Sequence, residues 1–531
     1  MKSILIFCSL TLISYGLCGQ SKFNYRYGST YTDRPRKIIQ TYDDNFIIVG
    51  ETEGFGSAKN AFAQKIDTSG NILWLKDYEG INDDVAWDLL ELANHHLVIC
   101  GSTYSYGIGG TDAFIIETDD SGNVLWSKVY GTIDWEEFYK ICPDAAGGYF
   151  VAGYGKSAVS YDEGTVVARI DSIGNLIWSQ WLPAWDHQGD WWPVDLAMVR
   201  SGGCVVAGYG GGASISCWKF SISGSIEWSS KYQRSSGAQQ IGTLGIRVAQ
   251  NLAGDFFINT TLSDTSNPAH SLDIGLIKTD SSGNLVWVKS YGGIYNEFQR
   301  SISSTSDSSL ILCGYTNSYG NGDFDHCLIK VDQNGNVDWA RAYGTIWLEN
   351  SYDAIECRDH GYILTGQTWS TGTVIGDSSK INVIKTDSLG YAYCNTILWN
   401  PIIVDHTINV SFAEPPENLP LQVGVDVDWN VLERVFYSIS NCSLIGVDEI
   451  DNINNFSVFP NPATDVVNIK IASAGIQSIE FFNSIGEIIY SEFTSINKFS
   501  EEVSVKKWNP GIYFVKFQTA DGSVVKKLIV Q

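Results

Sequence analysis

Apolar and polar residues alternate along most of this chain with the period of two that belongs to strands, and almost nowhere with the 3.6-residue period of a helix. One phrase recurs: an apolar strand, then Asp-x-x-Gly-Asn, then apolar-x-Trp. It occupies 67–74, 119–126, 171–178, 280–287 and 332–339, with a decayed copy at 221–228. A seventh copy, Asp387-Ser388-Leu389-Gly390, has Cys394 where the others have Trp. The tryptophans are spaced 50 to 59 residues apart. The chemistry of the phrase is local. Asp opens a turn by accepting backbone N–H bonds, and Gly supplies the positive φ that closes it, so each phrase predicts a hairpin. A further strand precedes each hairpin (46–50, 97–101, 149–153, 204–208, 256–260, 310–314, 362–366), and a short inner strand precedes that, as at 84–89. Four strands in about 50 residues predict the blade of a β-propeller.

A tyrosine follows most of the tryptophans four residues on: Tyr78, Tyr130, Tyr232, Tyr291 and Tyr343. Residues 23–28 offer the same phrase without its hairpin, while the last repeat has the hairpin without the Trp. The expected body is therefore all-β: a seven-bladed β-propeller over 20–396, with 23–27 as the outer strand of the seventh blade, which removes an exposed sheet edge. Residues 397–456 break the repeat and read as a linker or extension. From 457 a different set of short alternating segments predicts an immunoglobulin-like β-sandwich.

Composition narrows the setting. The 531 residues include 52 glycines, 13% aromatic and only 18% charged side chains, and the net charge of −25 opposes binding to nucleic acid. Met1-Lys2-Ser3 and the apolar run 4–17 describe a secretory signal peptide over 1–19, cleaved near Gly19. The run is too short to be a transmembrane segment, and no other stretch is long and apolar enough. Leu17 precedes Cys18 where a lipidation motif has a small residue. None of the eleven cysteines forms a Cys-x-x-Cys pair. Cys394 and Cys442 flank the extension and, in an exported protein, are candidates for a disulfide.

The C-terminal residues resemble a known family. Phe459-Pro460-Asn461-Pro462-Ala463-Thr464-Asp465, the strand Pro510-Gly511-Ile512-Tyr513-Phe514-Val515 and the terminal Lys527-Leu528-Ile529-Val530 are similar, in identity and order, to the type A C-terminal sorting domain of the type IX secretion system. That resemblance covers 457–531. It implies a Gram-negative bacterium, passage through the periplasm, the type IX secretion machinery as a partner, and delivery to the outer cell surface or the medium after removal of the domain. The repeat region resembles those of exported proteins from the same bacterial group, which carry no uniform activity.

Motifs of catalysis are weak. Gly208-Tyr209-Gly210-Gly211-Gly212 mimics a dinucleotide fingerprint, but a strand follows it instead of the helix that would hold the pyrophosphate. No HExxH or GxSxG is present, and Asn321, Asp323 and Asp325 are too loosely spaced for calcium. No catalytic residue, cofactor or metal is expected. The remaining signal lies in loops that share one face of the propeller, where aromatics sit beside acids: Trp135, Glu137, Trp185, Asp190, Trp191, Trp192, Tyr295 and Trp347. Stacking rings with hydrogen-bonding neighbours suit a glycan or surface polymer, and packing between blades is the competing explanation. The expected function is a non-catalytic binding or adhesion module. The alternative, a glycan- or polymer-processing hydrolase, needs two carboxyls brought together across loops.

Overall fold

Each Asp-x-x-Gly-Asn phrase folds into the same capped turn. In the second repeat Asp119 Oδ1 accepts the N–H groups of Ser121 (3.0 Å) and Asn123 (2.9 Å), while Oδ2 accepts the Asn123 amide at 2.8 Å. Gly122 sits at φ 79°, a conformation that disfavours any side chain. Space supplies a second reason for glycine at this place. A Cβ on Gly174 would stand 2.8 Å from the ring of Trp126 in the preceding repeat. Each Trp thus lies over the next repeat's turn. The tyrosine four residues on reaches the same turn: Tyr78 donates to the Gly122 carbonyl at 3.0 Å, Tyr130 to Gly174 at 2.7 Å and Tyr343 to Gly390 at 2.7 Å. The recurring phrase is therefore a fastening between neighbours as much as a turn.

The computed structural model describes residues 20–530 apart from 56–57, 157–162, 184–193, 210–213, 235–244, 264–271, 370–377, 414, 419–420, 441–455, 461, 472–475, 484–487, 494–499 and 520–521. Among the described residues there are strands and no helix. Seven five-stranded antiparallel sheets follow one another along the body. Their inner strands are Asp33–Gln40, Asp84–Glu91, Glu136–Pro143, Val194–Met198, Arg247–Gln250, Glu297–Ser304 and Glu349–Glu356. Each inner strand packs against the next, and the seventh against the first, so the sheets close into a ring with a propeller-like fold. The N-terminal strand Phe23–Gly28 pairs with Lys380–Lys385 of the seventh sheet, and Tyr27 donates to the Gly70 carbonyl at 2.6 Å as its counterparts do elsewhere. Apolar clusters fill the junctions between sheets, for example Val98, Ile115, Tyr130, Phe138, Val151 and Val166 between the second and third.

The segment expected as a linker forms a belt around this ring. Thr396–Trp399 adds a fifth strand to the sixth sheet and Ile402–Asp405 to the fifth. Ile408–Ser411 joins the fourth, Glu417–Asn418 the third, Gln422–Asp426 the second and Asn430–Glu433 the first. Tyr437–Ser440 ends the circuit on Phe23–Gly28 in the seventh. The extension is thus integral to the body up to residue 440. It escapes sequence reading because its strands are two to five residues long and carry no repeating phrase. Cys394, just before the belt, is disulfide-bonded, and its expected partner Cys442 lies outside the described residues.

The chain divides after residue 441 into two units. In the second, a three-stranded sheet (Phe456–Phe459, Val466–Ile471, Ser500–Ser504) and a four-stranded sheet (Ile488–Phe493, Ile476–Asn483, Gly511–Thr519, Gly522–Val530) share one apolar core. Val467, Ile469, Phe481, Val515 and Leu528 are buried in it.

Candidate functional site

On one face of the ring, loops of four or five residues lead from an outer strand into the next inner strand, and a buried acid staples four of the five described ones. Asp33 accepts the Ser29 N–H at 2.7 Å. Glu136 accepts the N–H and the hydroxyl of Thr132, both at 2.7 Å. Glu297 accepts the Gly293 N–H at 2.8 Å and Glu349 the Thr345 hydroxyl at 2.7 Å. A second acid from the neighbouring hairpin often approaches: Asp112 beside Glu136, and Asp325 beside Glu349. Burial, reinforced by these like charges, pushes Glu136 and Asp325 up to about 7. Burial likewise raises Asp84 to about 7. These acids hold the loops, while the loop tips project. Tyr31, Ile81, Ile133, Ile294 and Ile346 are exposed there.

At the axis the same face opens into a cavity of about 980 Å³, lined among others by Arg34, Arg36, Glu51, Trp87, Glu137 and Tyr352. Five of the seven inner strands bulge at their fourth residue, and the bulged positions are Arg36, Trp87, Tyr139, Arg300 and Tyr352. Arg36 lies 4.1 Å over the Trp87 ring and pairs with Glu51 at 2.9 Å. Tyr139 meets Trp87 edge-on at 4.9 Å. Burial pulls Glu51 upward, but Arg36 and its neighbours outweigh that and hold it below its usual value; burial raises Glu137. Below the bulges the axis is closed by charges of alternating sign. Lys37 pairs with Asp353 at 3.0 Å, and Lys140 stands 3.7 Å from Asp88 and 3.8 Å from Asp195. Each of these aspartates also accepts a backbone N–H from the next inner strand, at Ile38, Ile141 and Val248.

Of the residues expected at a site, Glu137 lines the cavity. Trp135, Tyr295 and Trp347 stand outside it on the stapled loops, 50%, 54% and 45% exposed, and no ring contact joins them among the described residues. Trp185, Asp190, Trp191 and Trp192 lie outside the described residues. Arg36, Trp87 and Tyr352 were not anticipated. Their signal is positional: each is the third residue after the acid that opens its inner strand, a large side chain that changes from repeat to repeat while its frame stays constant.

The chain's C-terminal segment, residues 457–531, matches the model of the secretion system C-terminal sorting domain. Residues 457–531 are a type IX secretion sorting domain. In this sorting domain Pro460 and Pro462 are exposed, and Asn461 between them lies outside the described residues. Gly511 opens a strand that carries Tyr513, whose ring packs 5.0 Å from Trp508 and whose hydroxyl donates to Asn509 at 2.8 Å. Lys527 pairs in register with Phe514. A sorting domain of this kind makes the chain a secreted or cell-surface protein and implies engagement with the type IX machinery. Among the described residues no helix is long and apolar enough to cross a membrane. A comparison with curated proteins found no match.

Solved structures give distant likenesses. A protein of unknown function from Bacteroides caccae is 12% identical, over 56% of this chain and 92% of its own, at a TM-score of 0.33. One from Dyadobacter fermentans is 7% identical over 69% and 98%, at 0.38. A GH43 endo-arabinanase from Bacillus licheniformis is 12% identical over 56% and 91%, at 0.26.

Proposed function

We propose that the exported body is a non-catalytic binding or adhesion module, and that a glycan or surface polymer rests on its stapled loops. The supporting observation is that Trp135, Tyr295 and Trp347 remain exposed although their loops are fixed by buried acids. Rings held in place and left in water favour a partner that stacks on them, because little freedom is lost on binding. The test is a glycan and polysaccharide array on the full chain, repeated with Trp135→Ala and Trp347→Ala. Binding should weaken at least tenfold with an unchanged melting temperature. Equal binding by the variants would remove these rings from the site. Export is tested separately: a chain ending at 456 should accumulate in the periplasm.

The hydrolase reading has one observation in its favour. Glu51 and Glu137 line the same cavity, one shifted down and the other up, as a base and an acid would be. Turnover of a polymer that Glu137→Gln abolishes would replace the binding reading with it.

A further inference from the structure

The belt does more than cover edges. Six of the junctions between sheets receive at least one belt side chain. Trp399 is buried with Tyr319, their rings 5.2 Å apart. Trp429 meets Tyr106 at 4.8 Å and Phe114 at 5.1 Å. Phe436 stacks on Phe55 and meets Phe62, both at 5.6 Å. Ala413 and Leu421 are buried in two further junctions, and Ile408 packs against another. Between these anchors run short ladders that pair with the outer strand of every sheet. Exposed apolar side chains, such as Leu398, Ile402 and Val410, project outward from the same strands.

This is the arrangement of a peptide on a peptide-binding surface. Main-chain pairing supplies affinity, and spaced pockets supply register. Each contact is small, and joining them in one segment raises the local concentration of the next. An outer strand stripped of its fifth strand would show an unpaired edge, which pairs readily with another chain. We propose that the rim of the ring is a strand-addition surface whose ligand is this chain's own segment 396–440. Occupation by that segment is what stops seven edges from pairing with those of other copies.

The test uses the full chain in two variants. The first, Trp399→Ala with Trp429→Ala and Phe436→Ala, empties three pockets. The second, Leu432→Pro with Ile439→Pro, breaks the ladder opposite Asp77 and Arg26 and keeps every anchor. The probe is a labelled synthetic peptide of residues 396–440, with light scattering as the second readout. Either variant should bind the peptide at least tenfold more tightly than the unmodified protein does. Either should also self-associate, and added peptide should suppress that association. If the first variant fails to fold, the second carries the test. A second variant that stays monomeric and takes up no more peptide than the unmodified protein would overturn the proposal.

Discussion

The two faces of the ring use the same device in opposite surroundings. On the hairpin face, Asp67, Asp119, Asp171, Asp280 and Asp332 each cap a turn while exposed to water. Burial there is slight, and bonds from the turn's own N–H groups and Asn side chain hold every one of them below the usual aspartate value. On the loop face, Asp33, Glu136, Glu297 and Glu349 cap loops of similar length while buried, and every one is raised. A carboxylate that receives two N–H bonds in water is a stable anion. The same group taken out of water and placed beside a second acid prefers its proton. One face is built from fixed charges and the other from acids whose burial favours the protonated form.

The largest expected effect separates the faces directly. Glu349→Ala removes the bonds from the hydroxyls of Thr345 and Thr368 to a buried acid and should cost about 2–4 kcal/mol in a denaturant titration. On the hairpin face the backbone matters more than the acid. Gly174→Ala forces a side chain into φ 83° and against Trp126, and about 1–3 kcal/mol is expected by the same measurement. Asp119→Ala, whose partners turn to water, should cost only about 1 kcal/mol. A loss from Asp119→Ala equal to that from Glu349→Ala would erase the contrast.

The gentlest probe is pH. Groups raised in the folded state add stability that is present near pH 4 and is lost as pH climbs through about 7, the value for Asp84, Glu136 and Asp325. The turn aspartates act oppositely, adding stability that is lost as pH falls below 4. Melting temperature should therefore decline between pH 5 and 8.5 and, on the other side, below pH 4. Glu136→Gln should flatten part of the alkaline decline and leave the acid limb unchanged. A profile rising from pH 5 to 8.5 would contradict the upward shift of the buried acids.

Sequence reading reaches what repeats and stops at what does not. The hairpins, their tryptophans and the tyrosine at the fourth place were legible because local turn chemistry and packing select the same residues in each copy. The sorting domain was legible through an ordered series of motifs. The belt was hidden because its strands borrow their pairing from residues hundreds of positions away, and Trp399, Trp429 and Phe436 look like scattered aromatics until the ring supplies their pockets. At the loop face the stapling role of Glu136 and Glu349 was not legible, since nothing in the local sequence tells a buried acid from an exposed one. Cys394 and Cys442 frame the belt in the sequence. Peptide mapping without reductant should recover them as one linked pair, and recovery of Cys442 as a free thiol would break it.

The belt also sets a clock. Asn430 bonds Glu79 across a separation of 351 residues, so the first sheet to leave the ribosome is among the last to be completed. At about 5–20 residues per second that gap lasts roughly 20 to 70 seconds. Throughout it, finished hairpins wait with open flanks for a strand that has not yet been made. Synthesis from the first residue to the last runs one way around the ring, and completion runs back the other.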